Sequence, residues 1–415
     1  MDRASRREEE REKRKEERRQ RASSPEIIPL SRQSPLTRPW PVLILLSLLA
    51  TLIYSNTFSA PFHLDDTPNI VENPKIKHLS NFLDLSGSRY VGFLTFALNY
   101  YFGGLSVFGY HLINLLIHIT NGFLVYALVL LLFQASSRLS PITHDLSPSN
   151  AAPWIALATA LLFIAHPLQT QAVTYIVQRF ASLAALFYLL AVVAYLNYRL
   201  ARPEYKSRLL WYGMALLSTI LAMKTKENSF TLPLMLLMIE AVFFRPLTKV
   251  RWVSLIPFLA TLLIIPLSRV DAVGEAEGGF ARETTEISRP SYLFTQFRVI
   301  VTYIRLLFWP VNQNLDYDHP IYHSLFSPPV FFSFLFLFAL FALALYLLFR
   351  SHRSTLNSQL KLIAFGILWF FLTLSVESSI IPIRDVIFEH RLYLPSVGFF
   401  LACAMGIQGA LEILK

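Results

Sequence analysis

The sequence predicts an all-α polytopic membrane protein, and three observations predict it. Of the 415 residues 54% are hydrophobic and 15% charged, against about 45–50% and about 25% in soluble domains. The apolar residues come in blocks near the roughly 20 residues that a helix needs to span a bilayer. Mean hydropathy is +0.46. A single cysteine, Cys403, excludes an intramolecular disulfide framework. The formal charge of +10 does not indicate a nucleic-acid partner. Much of it lies in the N-terminal tail and short loops, where basic residues set topology.

Taken in order, residues 1–38 form a charged cytoplasmic tail, helical or disordered, because "RREEEREKRKEERRQR" has no apolar face. The first span, roughly 40–59, reads as an uncleaved anchor. The first outer loop, 60–108, ends in "RYVGFLTFALNYYFGG", too short to cross and expected in the interface. Further spans are expected at roughly 109–133, 153–166, 181–198, 209–223, 229–244 and 252–268, closing an N-terminal module over 39–268. An extracytoplasmic loop, 269–327, carries "YLFTQFRVIVTYIRLLFWP". Its Arg298, Thr302 and Arg305 make one cationic stripe, so it is expected to be an interfacial or re-entrant helix. Spans near 328–350, 360–376 and 395–411 make a C-terminal module over 328–415 and bring the count to about ten. This topology puts the N-terminus in the cytoplasm. Many polar residues, Lys224 among them, then fall at the extracytoplasmic mouths of spans, where cations go against the usual bias.

Three constellations carry possible chemistry. His111, Asn114, His118 and Asn121 fall at i, i+3, i+7 and i+10 on one helix, within a sector of about 80°. They read either as polar glue between helices or as the wall of a polar cavity. A metal shared by His111 and His118 is disfavoured by their separation of about 10 Å along the axis. In "FHLDDTPNIVENP" the adjacent Asp65 and Asp66 point opposite ways, so at most one faces a pocket. They read as a solvated turn, as a general base at the membrane surface, or as weak ligands for a divalent cation. Arg179, Lys226 and Arg391 read as anchors or ion-pair partners of Glu227 and Glu389, or jointly as a site for an anionic lipid headgroup.

The stretches "FHLDDTPNIVENP", "SRYVGFLTFALNYYFGGLSVFGYHLINLLIH", "FIAHPLQTQAVTYIVQRFASLAALFYLLA", "KTKENSFTLPLMLLM" and "EHRLYLPSVGF", in that order, resemble the membrane part of the transmembrane and tetratricopeptide-repeat-containing O-mannosyltransferases. The resemblance implies a GT-C-type bundle. It also implies transfer of a sugar, mannose by the family's leaning, from a polyprenyl- or dolichyl-phosphate carrier to an acceptor hydroxyl outside the cytoplasm, with inversion. It makes Asp65 the expected base, with Asp66 as fallback, and gives Arg89, Arg179, Lys226 and Arg391 to the lipid phosphate. Arg89 stands in "RYV" where the family tends to have Arg-Pro-Leu. His111, Asn114, His118, His166, Glu227, Glu389 and Tyr393 are expected to line the cavity. The family's repeat array is expected after the last span and is not within these residues. A separate repeat-containing partner, and a lipid or glycan acceptor, therefore stand beside a protein acceptor. The alternatives are a flippase or transporter of a lipid-linked sugar, which paired halves would favour, and a non-catalytic scaffold. Either a bacterial inner membrane or the endoplasmic reticulum fits.

Overall fold

The computed structural model describes residues 39–85, 87–137, 151–201, 205–244, 249–270, 284, 286–351 and 357–414. The expected tail, 1–38, lies outside them. The α-helices of the described residues are α1 (Pro39–Tyr54), α2 (Tyr90–Gly103), α3 (Val107–Ser137), α4 (Ala151–Ala165), α5 (Thr170–Thr174), α6 (Arg179–Leu200), α7 (Tyr205–Met223), α8 (Leu232–Phe243), α9 (Lys249–Ala260), α10 (Ile264–Val270), α11 (Arg289–Phe308), α12 (Pro328–Ser351), α13 (Asn357–Leu374) and α14 (Pro395–Ile413). It is a multi-pass α-helical membrane protein. By length and apolar composition five described helices can cross a bilayer, or six if α4 and the bent helical piece after it form one broken span. The other spans read from the sequence are shorter or more polar helices: α8 has 12 residues, about 18 Å of rise.

The helix α3 is the hub, packing on α4, α6 and α13, while α6 pairs with α7 and α13 with α14. It is mostly buried, with apolar residues on most of its surface and one polar stripe turned toward its neighbours. Small residues set the closest approaches. A side chain at Gly122 would lie 2.6 Å from Ile164 of α4. Gly366 and Gly398 let α13 and α14 meet backbone to backbone, where each missing Cβ would strike the other's carbonyl oxygen.

The polar stripe of α3 makes hydrogen bonds between helices. His118 Nε2 lies 3.2 Å from the Ile164 carbonyl, an acceptor only, so this nitrogen carries the proton. Nδ1 then accepts the Tyr393 hydroxyl of the α13–α14 connection at 2.8 Å. Asn121 donates to the same hydroxyl and to the Ser182 carbonyl. Asn114 donates to the carbonyls of Val173 and Ile176, and His111 Nε2 to that of Ala60.

Two helices, α2 of 14 residues and α11 of 20, lie beside the segments that bound the cavity described below. Along α2, Tyr101 and Phe102 are exposed, while Phe96 and Tyr90 pack in a cluster with Ile70, Ile76, Phe82 and Phe180. The helix α11 is not among the long apolar ones. Its buried face anchors the irregular segment 375–388: the Tyr292 hydroxyl donates to the Glu377 carbonyl, Gln296 to that of Val386, and the Tyr303 hydroxyl to that of Phe388. Arg305 lies on its exposed side.

Candidate functional site

A cavity of about 470 Å³ lies where the first loop, the starts of α2, α6 and α8, the helix α10 and segment 375–391 meet. Its charged lining is Asp65, Glu227 and Glu377 with Arg89, Lys226 and Arg391.

Asp65 faces it because its neighbours are fixed elsewhere. Leu64 holds a left-handed backbone, φ 41°, a conformation that costs a non-glycine residue of order 1 kcal/mol and survives only where its surroundings impose it. The Asp65 N–H donates to the Tyr175 hydroxyl at 2.8 Å, and the Asn69 side chain donates to the Asp65 carbonyl. Asp66 turns the other way. Its two oxygens accept the N–H groups of His63, 3.0 Å, and Val177, 2.7 Å, and it is 1% exposed. It therefore pins the first loop to the start of α6 and does not line the cavity.

Burial pushes the Asp66 carboxyl up to about 6 against the pull of those two donors. Because that lies above the value of an exposed carboxyl, the stability from this group is complete below about pH 4. It is lost as the pH rises through 6. Between pH 4.5 and 7.5 the wild type should lose about 2 kcal/mol relative to Asp66→Asn, read from denaturation midpoints. Parallel pH profiles would mean that the two donors keep the carboxylate ionised throughout.

The cations are held differently. Arg89, left-handed at φ 57°, caps the start of α2 and grips Glu227 through Nε and Nη2 at 2.8–3.2 Å. Lys226 Nζ lies 2.7 Å from Glu377 Oε1, with both side chains largely buried. Burial draws the lysine below its ordinary value, opposed mainly by Glu377. Arg391 donates to the carbonyls of Val386 and Asp385.

The other expected residues lie outside the lining. Arg179 is fully buried, giving its donors to Asn114 (2.6 Å), Asn99 (2.6 Å) and the carbonyls of Tyr110 and Thr95, with its plane over Phe96. His111, Asn114, His118 and Tyr393 are committed to the helix contacts already described. His166 accepts the Leu168 N–H at the turn after α4 and donates to the Leu307 carbonyl. Glu389 accepts Gln313, the Asn314 N–H and the Tyr317 hydroxyl, so it organises the segment after α11. Residues 389–392 form a 3₁₀ turn. With three residues per turn, the polar run Glu389, His390 and Arg391 points three ways, and only His390 and Arg391 line the cavity.

Sequence reasoning missed Glu377, His390, Asn69 and Asn228, all of which line it. His390 sat inside a quoted motif, and Asn228 follows the Lys-Glu pair. Glu377 was legible only as an acid just after a span at the same end of the bundle. No group of three or more metal-ligating side chains occurs among the described residues.

The cavity also has an apolar flank, Leu234, Ile265, Pro266 and Phe230 among it. Phe230 is 39% and Leu234 38% exposed, so this flank runs out to the surface of the helix bundle.

These features define a multi-pass α-helical membrane protein with a charge-lined cavity at one end and an apolar path from it to the bundle surface. The chain is similar to proteins named protein O-mannosyl-transferases. It is 31% identical to Tmtc1 of Drosophila melanogaster over 201 residues, 45% of this chain and 21% of that one. Against tmtc2 of Xenopus laevis it is 31% identical over 204 residues, 45% and 22% of the two chains. Against F38B6.6 of Caenorhabditis elegans it is 24% identical over 396 residues, 88% of this chain and 51% of that one. The chain thus spans between about a fifth and a half of the length of these relatives. No family model matches the chain, and no solved structure does.

Proposed function

We propose that the protein is a membrane glycosyltransferase. In this reading it moves a sugar, mannose as in the names of its relatives, from a polyprenyl- or dolichyl-phosphate carrier to an acceptor hydroxyl. The acceptor is a Ser or Thr of a protein, or a glycan or lipid, on the extracytoplasmic side of the membrane. The observation that carries the reading is that Asp65, Arg89, Lys226 and Arg391 line one cavity whose apolar flank reaches the bundle surface. A lipid-linked phosphate needs that combination: cations for the headgroup and an apolar route for the chain.

In the reaction, Asp65 takes the proton from the acceptor hydroxyl as its oxygen bonds to the anomeric carbon. The bond from that carbon to the phosphate oxygen breaks, and the electron pair leaves with the phosphate, which the cations stabilise. Attack opposite the phosphate inverts the configuration. Arg179 has no part in this step, because its guanidinium is spent on Asn114, Asn99 and two backbone carbonyls.

The test is turnover of radiolabelled polyprenyl-phosphate-mannose by the purified protein with a Ser/Thr-rich peptide. Labelled peptide of inverted configuration is the expected product, and a retained configuration would exclude single displacement. In proteoliposomes, movement of the labelled lipid across the bilayer without bond cleavage would mark a transporter instead.

A further inference from the structure

The six charged side chains of the cavity sum to zero: Asp65, Glu227 and Glu377 against Arg89, Lys226 and Arg391. An anion entering such a cavity meets no net attraction until a carboxylate gives up its cation. Glu227 and Glu377 are not equal in this respect. Glu227 engages Arg89 through both oxygens, and each side chain keeps about a fifth of its surface exposed (20% and 22%). Glu377 touches Lys226 through one oxygen, at 12% and 7% exposure. Its second oxygen is buried without a hydrogen-bond partner among the described residues. A buried carboxylate satisfied on one side only is the costlier of the two to keep. Its backbone is anchored independently, since its carbonyl accepts the Tyr292 hydroxyl at 2.7 Å. The side chain can therefore swing without the segment moving.

We propose that Glu377 stands in for the ligand's phosphate, neutralising Lys226 while the cavity is empty and yielding it when a phosphate group arrives. This rests on the reading that the cavity takes a phosphate-bearing lipid. The exchange keeps the buried ammonium paired in both states, which avoids the large cost of leaving it alone in a low-dielectric site. It also gives the lysine a selective role. A neutral lipid cannot displace the carboxylate, whereas a phosphate brings more acceptor oxygens to the same ammonium.

The experiment measures binding of farnesyl phosphate, and separately of inorganic phosphate, to the full chain in detergent by microscale thermophoresis. Glu377→Gln should bind farnesyl phosphate about tenfold more tightly than the wild type, as expected when a buried competing carboxylate is removed. Glu377→Asp keeps the charge but falls short of Lys226, and should gain less. Lys226→Gln should lose binding. Without ligand, Glu377→Gln should melt below the wild type, and farnesyl phosphate should raise its melting temperature by more. A purely structural glutamate would not yield tighter binding. A gain seen also with inorganic phosphate assigns the exchange to the headgroup alone, and a gain confined to farnesyl phosphate assigns it to the lipid-linked form. Unchanged or weaker binding in both Glu377 variants, with loss in Lys226→Gln, would overturn the stand-in and leave the phosphate site intact. No binding by any of the proteins would overturn both.

Discussion

Replacing Asp65 by Asn should lower sugar transfer by about a thousandfold, the scale of a lost general base, and leave the denaturation midpoint within about 0.5 kcal/mol of the wild type. The expectation follows from the division of labour in "LDD". The Asp65 main chain is held in the loop by the Tyr175 hydroxyl and by Asn69, contacts that Asp65→Asn leaves in place. Asp66 is the reverse, a structural peg through both oxygens. The decisive comparison is therefore between neighbours. Asp65→Asn should bind farnesyl phosphate at least as tightly as the wild type and turn the donor over far more slowly. Asp66→Asn should change stability and its pH profile. If both variants kept full turnover, the base would lie elsewhere in the cavity, with Glu377 the next carboxylate to change.

The second large effect concerns Arg179. Arg179→Gln should cost about 4 kcal/mol, enough to prevent recovery of folded protein at 37 °C. Removing the guanidinium takes the donor from buried acceptors on Asn114 and Tyr110 and from part-buried ones on Asn99 and Thr95. It also removes the cation from the Phe96 ring. A headgroup-binding arginine would behave otherwise: the protein would fold, and the KM for the lipid donor would rise. Measuring yield and midpoint beside KM separates the two roles. A stable Arg179→Gln with a tenfold higher KM would return this residue to the phosphate site.

The same contrast runs through the other motif residues. His118 and Tyr393 were expected to line a cavity, and they serve instead as a hydrogen-bonded joint between α3 and the connection to α14, across 275 residues of chain. The spacing of His111, Asn114, His118 and Asn121 does place one polar stripe on one helix. Polar glue and cavity wall were both open readings of that stripe, because periodicity reports which residues share a face and not what the face meets. Here it meets the carbonyls of Ala60, Val173, Ile176, Ile164 and Ser182.

By itself the sequence determined that the protein is an α-helical membrane protein. Blocks of about 20 apolar residues leave a helix as the only way to satisfy the backbone in lipid. It also determined that the loop after the first span, the Lys-Glu pair and the "EHR" motif belong to one end of the bundle, since an antiparallel succession of helices returns them there. Only the tertiary structure decided which of those polar groups meet. A rotation of one residue separates Asp65 from Asp66, and two-thirds of a 3₁₀ turn separates Glu389 from Arg391. Such steps carry a side chain from a cavity to a structural hydrogen bond. The partners that fix them, Val177 for Asp66, Tyr317 for Glu389 and Glu377 for Lys226, lie between 72 and 151 residues away in the chain. No local pattern encodes a pairing of that range, because its energy is realised only once the helices that carry the two partners have packed.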